Sequence, residues 1–189
     1  MNNNQTINNT ITSVISKDSW WKKGHNGKDI LTAPTLADYI AQQSNLLFAN
    51  GELRYYHNGV YRNDAYKHIS SMVVQLLGNK FRSTHSNEVH RYLTDSYSNS
   101  PQKLDSSTQL INLENGLLDW QTNTLHDHTP NYLSSIRVPL TYDPNATCPN
   151  IERFLAQVLP IECHDLIIEL FAYCLLPTTK LDIAVVLIG

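Results

Sequence analysis

Residues 46–64 read LLFANGELRYYHNGVYRND. Two Asn-Gly pairs, Asn50-Gly51 and Asn58-Gly59, cut this stretch into three short runs of β-type residues. Asn-Gly tolerates the positive φ angles of tight hairpin turns, so the stretch predicts a small antiparallel meander. Helical patterns flank it. Upstream, Thr35 and Asp38 form a capping pair ahead of a helix whose apolar face is Leu36, Tyr39 and Ile40. Downstream, Asp64 caps a helix with Ile69, Met72, Val73, Leu76 and Leu77 on one face, and Gly78 stops it. A further helix is predicted from about Ser86, with Val89, Tyr92, Leu93 and Tyr97 inward. A meander set among amphipathic helices is an α+β arrangement.

Past the loop NSPQKLDSS the pattern turns to short strands, broken by Asn115-Gly116 and by a turn near Thr122-Asn123. The connector TYDPNATCP leads to Pro149, which suits the first turn of a helix. That helix is expected to bury Ile151, Phe154, Leu155, Val158 and Leu159, and Pro160 ends it. The next is expected to bury Cys163, Leu166, Ile167, Leu170, Phe171 and Cys174, with Pro177 closing it. The last residues, IAVVLIG, read as a strand covered on both faces, the kind found inside parallel sheets.

The chain has 189 residues, 41% hydrophobic and 16% charged, within the range of a soluble globular protein. No apolar run reaches the roughly 18 residues of a membrane helix. The start, MNNNQTINNTITSVIS, lacks the basic and apolar parts of a secretory signal and reads as a mobile tail. Cys148, Cys163 and Cys174 have no metal-type spacing, and reduced core thiols of a cytoplasmic protein are expected. The net charge of −3 is divided unevenly, +4 through residue 103 and −7 from residue 104. Two ordinary solvated surfaces account for this; so does a basic half that approaches phosphates.

The segment GHNGKD, residues 24–29, imitates the end of a phosphate-binding loop. Such a loop must leave a buried strand and end in a Mg²⁺-binding hydroxyl. Here Trp20, Trp21, Lys22 and Lys23 precede it, a sequence not expected to form a strand, and Asp29 replaces the hydroxyl. It is better read as a basic surface arm whose tryptophans stack on bases or dock on the protein's own core. In HDH, His126 and His128 point the same way on a strand, but no third metal ligand follows from the spacing. A turn histidine making hydrogen bonds is the expectation for His128. The hairpin RYYHNGVYR places Arg54 and Arg62 among Tyr55, Tyr56 and Tyr61, a mixture that binds single strands or simply builds a strand. Arg82 and Arg91 on the later helices complete the candidate DNA contacts. No nucleophile is fixed beside a base, so no catalytic set emerges.

Residues 110–189 carry an ordered series: Asn115-Gly116-Leu117, the step His128 to Leu133, Tyr142 to Pro144, Cys148-Pro149, and then Phe154-Leu155. This series resembles the segment ahead of the ATPase core in phage and plasmid primase–helicases, superfamily three helicases of the satellite-phage and poxvirus type. ELRYYHNGVYR is similar to that family's hairpin, so the resemblance covers about residues 35–189. It implies that the terminal strand opens an ATPase sheet and that Gly189 is the first glycine of a nucleotide-binding loop. The parent would then unwind DNA as a ring oligomer, with ATP and Mg²⁺ as its cofactors.

The expected division is a tail and basic arm at 1–30, a helix-hairpin-helix unit at 31–105, a β layer with a helical pair at 106–180, and the first strand of a truncated ATPase at 181–189. With Met1 as the start, no primase module is expected ahead of residue 35. The lysine, second carboxylate motif and arginine finger of the motor would lie beyond Gly189. The chain itself is therefore expected to need no cofactor and to hydrolyse no ATP. Its expected role is to position DNA or subunits beside the motor, in the cytoplasm and off the membrane. A self-contained DNA-binding module and an oligomerisation collar are the alternatives.

Overall fold

A computed structural model describes residues 17–176 and 184–186. It is α+β, with five α-helices and three small antiparallel sheets among the described residues, and it divides into two compact units. The first unit holds residues up to Tyr55 and Asn63–Gln102; the second holds Tyr56–Arg62 and residues from Lys103 on. No helix among the described residues is long and apolar enough to cross a membrane.

Among the described residues, the first unit opens with a short 3-10 turn, Lys17–Trp20, and a hairpin of β1 (Trp21–Lys23) and β2 (Asp29–Leu31). The segment before GHNGKD is thus a strand after all, but an exposed two-stranded one. The turn closes through Gly24 N–H to the Lys28 carbonyl at 2.9 Å. Helix α1 (Ala33–Gln43) starts three residues earlier than its Thr35–Asp38 pattern indicates. Thr32 is the residue at its N-cap, and Pro34 occupies the first turn, where its fixed φ and missing N–H suit the start of a helix.

Strands β3 (Leu46–Ala49), β4 (Glu52–His57) and β5 (Val60–Arg62) form the meander, and β4 runs on from the first unit into the second. Both Asn-Gly pairs take left-handed backbone: φ is 54° and 82° at Asn50-Gly51, and 48° and 83° at Asn58-Gly59. Helix α2 (Ala65–Leu77) ends at Gly78, whose φ is 51°. Helix α3 (Ser83–Tyr97) starts three residues before the expected Ser86. It buries His85, Ser86, Val89 and Leu93; Tyr92, expected inward, is exposed.

The core of this unit gathers Trp20, Leu36, Ile40, Leu53, Tyr55, Ile69, Val73, Val89 and Leu93. Each large side chain so buried contributes roughly 1.5–3 kcal/mol over its exposed state. Trp20 is 2% exposed and meets the Tyr39 ring at 5.4 Å between centroids. It is a core residue, unavailable for stacking on bases.

In the second unit β6 (Leu110–Leu113), β7 (Gly116–Asp119) and β8 (Thr124–His126) form an antiparallel sheet. The residues of the ordered sequence series act here as fasteners. The Asn115 side chain pairs with both backbone groups of Tyr142, each bond 2.9 Å. Buried Asn112 donates through Nδ2 to the carbonyls of Gly59 at 2.9 Å and Ile136 at 3.0 Å. Its Oδ1 must therefore accept, so the His128 Nε2 facing it at 3.1 Å carries a proton, which it shares with the Leu113 carbonyl at 2.9 Å. His128 makes the hydrogen bonds expected of it, but from irregular backbone just ahead of the turn at Pro130 rather than from the turn itself. The Tyr132 hydroxyl donates to the Leu110 carbonyl and the Tyr61 hydroxyl to the Pro130 carbonyl, both at 2.8 Å. Asp105 accepts from the backbone of Ser135 and the hydroxyls of Ser134 and Ser135.

Helices α4 (Pro149–Val158) and α5 (His164–Tyr173) lie where periodicity puts them, but their faces are not buried. Leu155 is the buried residue of α4, and α5 has none. Ile151, Phe154, Val158, Leu166 and Phe171 are each more than half exposed. Periodicity reports a face that requires cover; among the described residues nothing covers this one. Cys148 and Cys174 are exposed and Cys163 half-buried, which corrects the expectation of core thiols. Of the expected terminal strand, residues 184–186 are described, outside any strand and exposed. Its remaining residues, Gly189 included, and Pro177 lie outside the described residues.

Candidate nucleic-acid interface

An open cleft of about 670 Å³ lies in the first unit between the β1–β2 hairpin and the start of α3. Its charged lining is Lys23, Lys28, Lys80 and Arg82, against Asp29 and Glu88. The two sides come from segments some fifty residues apart in sequence, and specific contacts hold them together. Asp29 stands opposite Lys23 in the hairpin register. Its carboxylate takes Lys23 Nζ on Oδ1 at 2.6 Å and Lys80 Nζ on Oδ2 at 3.0 Å. Lys80 Nζ also sits 4.9 Å from the centre of the Trp21 ring. The two lysines hold the Asp29 carboxyl below its usual range, Lys23 more strongly than Lys80. Both pairs face solvent, so they contribute little to stability and break at small cost.

Beneath the cations, His85 forms part of the floor. Its Nδ1 accepts the Arg82 backbone N–H at 3.2 Å, and its ring meets Trp21 at 5.9 Å and Phe81 at 6.5 Å, both edge-on. Burial pushes its imidazole below the ordinary value; Glu88 opposes this and Arg82 adds to it. Burial lowers His90 as well. A histidine depressed in the folded state binds its proton first when unfolded, so stability falls with pH below the ordinary value of about 6.5. Urea midpoints taken through that range should drop toward acid, and the drop should be smaller in His85→Gln. A flat profile would contradict a neutral, buried His85.

Of the four arginines picked out in sequence, Arg82 lines the cleft. Arg54 pairs with Glu52 at 2.5 Å, its side chain only 12% exposed. Arg91 is exposed and 3.7 Å from Asp95. Nine residues along α3 from Arg82, it stands about 14 Å away along the helix axis. Arg62, at the end of β5, is exposed and belongs to the second unit. The sequence marks the hairpin as a basic arm but does not join it to Lys80. The available signal was Asn79-Lys80-Phe81-Arg82, a basic pair at the junction of two helices.

The cleft can hold anions. Four cations surround an open volume, Thr84 and His85 from the first turn of α3 line it, and the pairings of Lys23 and Lys80 are weak. Its aromatic groups are otherwise engaged. Trp21 packs against the core and carries Lys80 over its ring, and Phe81 packs against the core as well. Among known proteins, the profile of the family described as D5 N terminal like matches residues 5–160. No curated protein matches the chain.

Proposed function

The chain belongs to the D5 N-terminal-like family, which fits an N-terminal part of phage and plasmid primase–helicase proteins, and on that premise we propose that it holds DNA for a mobile-element replication helicase. The single observation that supports this reading is the cleft of Lys23, Lys28, Lys80 and Arg82, open to solvent and weakly neutralised from within. In this reading the chain is the accessory part beside an ATP-driven ring of the superfamily three type. ATP and Mg²⁺ belong to that motor rather than to the cleft, and the assembly works in the cytoplasm.

The exposed apolar stripe on α4 and α5 favours a second reading, a collar that positions subunits. Fluorescence anisotropy with a labelled single strand and a duplex, read across salt concentration, separates the two. A cleft with four phosphate-contacting cations, one carboxylate to displace, gives a log–log salt slope of about −2 to −3. Concentration-dependent oligomers in sedimentation, with no DNA affinity even at low salt, would replace the DNA-holding reading with the collar.

A further inference from the structure

Asp29 is an odd residue to find at the centre of a basic cleft. Its two carboxylate oxygens each hold one lysine, Lys23 at 2.6 Å and Lys80 at 3.0 Å, which is how a phosphate diester would bridge the same two ammonium groups. The aromatic rings around it offer no open stacking face, since Trp21 is held between the core and Lys80, and Phe81 packs inward. Resting on the reading of this cleft as the DNA interface, we propose that Asp29 is a built-in stand-in for phosphate: the cleft takes the phosphodiester backbone rather than bases, and the strand must displace this carboxylate to bind. The carboxylate keeps the lysines paired when the cleft is empty. It also sets a threshold that weak or isolated anions do not pass, because displacing it returns a bare carboxylate to solvent beside the incoming phosphates.

Glu88 supplies the internal comparison. It lines the same cleft and carries the same charge, but its electrostatic partner is the His85 ring rather than a lysine. Removing it lifts a like charge without releasing a lysine. The experiment compares the full chain with Asp29→Asn and Glu88→Gln, using one labelled single strand and an abasic strand of equal length. Asp29→Asn should bind about five- to tenfold more tightly at low salt, with a slope steeper by about one, because no carboxylate regains a counterion. Glu88→Gln should change affinity less than about threefold and leave the slope alone. The abasic strand should bind each protein about as well as the normal one. On the unaltered chain, a carbon NMR titration of the Asp29 carboxyl should move its midpoint upward when the strand saturates the cleft. That reading does not depend on a variant folding.

Equal effects of Asp29→Asn and Glu88→Gln, or weaker binding by Asp29→Asn, would overturn the stand-in role while leaving the DNA interface in place. An unmoved Asp29 midpoint would do the same, and loss of binding on the abasic strand would overturn the backbone assignment. If the unaltered chain and both variants fail to bind at low salt, the interface reading falls and takes this inference with it.

Discussion

Replacing Gly59 by alanine should destabilise the second unit by about 3 kcal/mol, combining left-handed backbone strain with overpacking. The residue is buried, its φ is 83°, and a Cβ built there would lie 2.8 Å from two atoms of the His128 ring. That ring cannot simply move aside. Its Nε2 is held between Asn112 Oδ1 and the Leu113 carbonyl, and Asn112 in turn donates to the Gly59 carbonyl. A methyl group at Gly59 therefore strains the turn and pushes on the hydrogen-bonded centre of the unit together. Gly51 gives the control. Its φ of 82° is nearly the same, but nothing lies within 4 Å of its missing Cβ, so Gly51→Ala bears the backbone strain alone, about 1 kcal/mol. Hydrogen exchange at the Tyr61, Glu114 and Val138 amides, bonded to Ser134, Leu140 and Asn112, reads the second unit directly. Gly59→Ala should speed that exchange by roughly a hundredfold, at 1.4 kcal/mol per factor of ten. An acceleration of no more than about fivefold, the effect of the backbone strain alone, would mean that His128 does not occupy the space over Gly59.

The same pair of turns illustrates what was legible in sequence. Asn-Gly announces a tight turn because the left-handed conformation is a property of those two residues alone. Helix faces are nearly as local, so the Ile69–Leu77 face of α2 could be read directly. What cannot be read locally is whether a face finds a partner. Phe154 and Phe171 mark amphipathic helices as clearly as Ile69 does, yet they stand exposed while Ile69 is fully buried. Caps shifted for a related reason. Thr35 and Asp38 fit a capping pattern, but Pro34 commits the chain to helix just before them.

The candidate site was half legible. Lys23 and Lys28 belong to a visibly basic arm, and Arg82 was singled out, but their meeting depends on Lys80 reaching Asp29 across 51 positions. No spacing rule connects such residues. The tryptophans divide in the same manner: Trp20 and Trp21 are adjacent and chemically alike, and only packing makes one a core residue and the other the ring beneath Lys80.

If DNA is held at this cleft, neutralising the cleft should all but abolish binding. The variant Lys23→Gln, Lys28→Gln, Lys80→Gln, Arg82→Gln removes all four cations. Because the pairs of Lys23 and Lys80 are exposed, the fold should lose no more than about 1 kcal/mol for each. With four phosphate contacts gone, affinity for a single strand at low salt should fall about a hundred- to a thousandfold, and the salt slope should approach zero. The companion variant Arg54→Gln, Arg62→Gln, Arg91→Gln removes nearly as much charge elsewhere and should bind within a few-fold of the unaltered chain. Retention of affinity and slope by the fourfold variant, with loss in the threefold one, would contradict the assignment of the cleft.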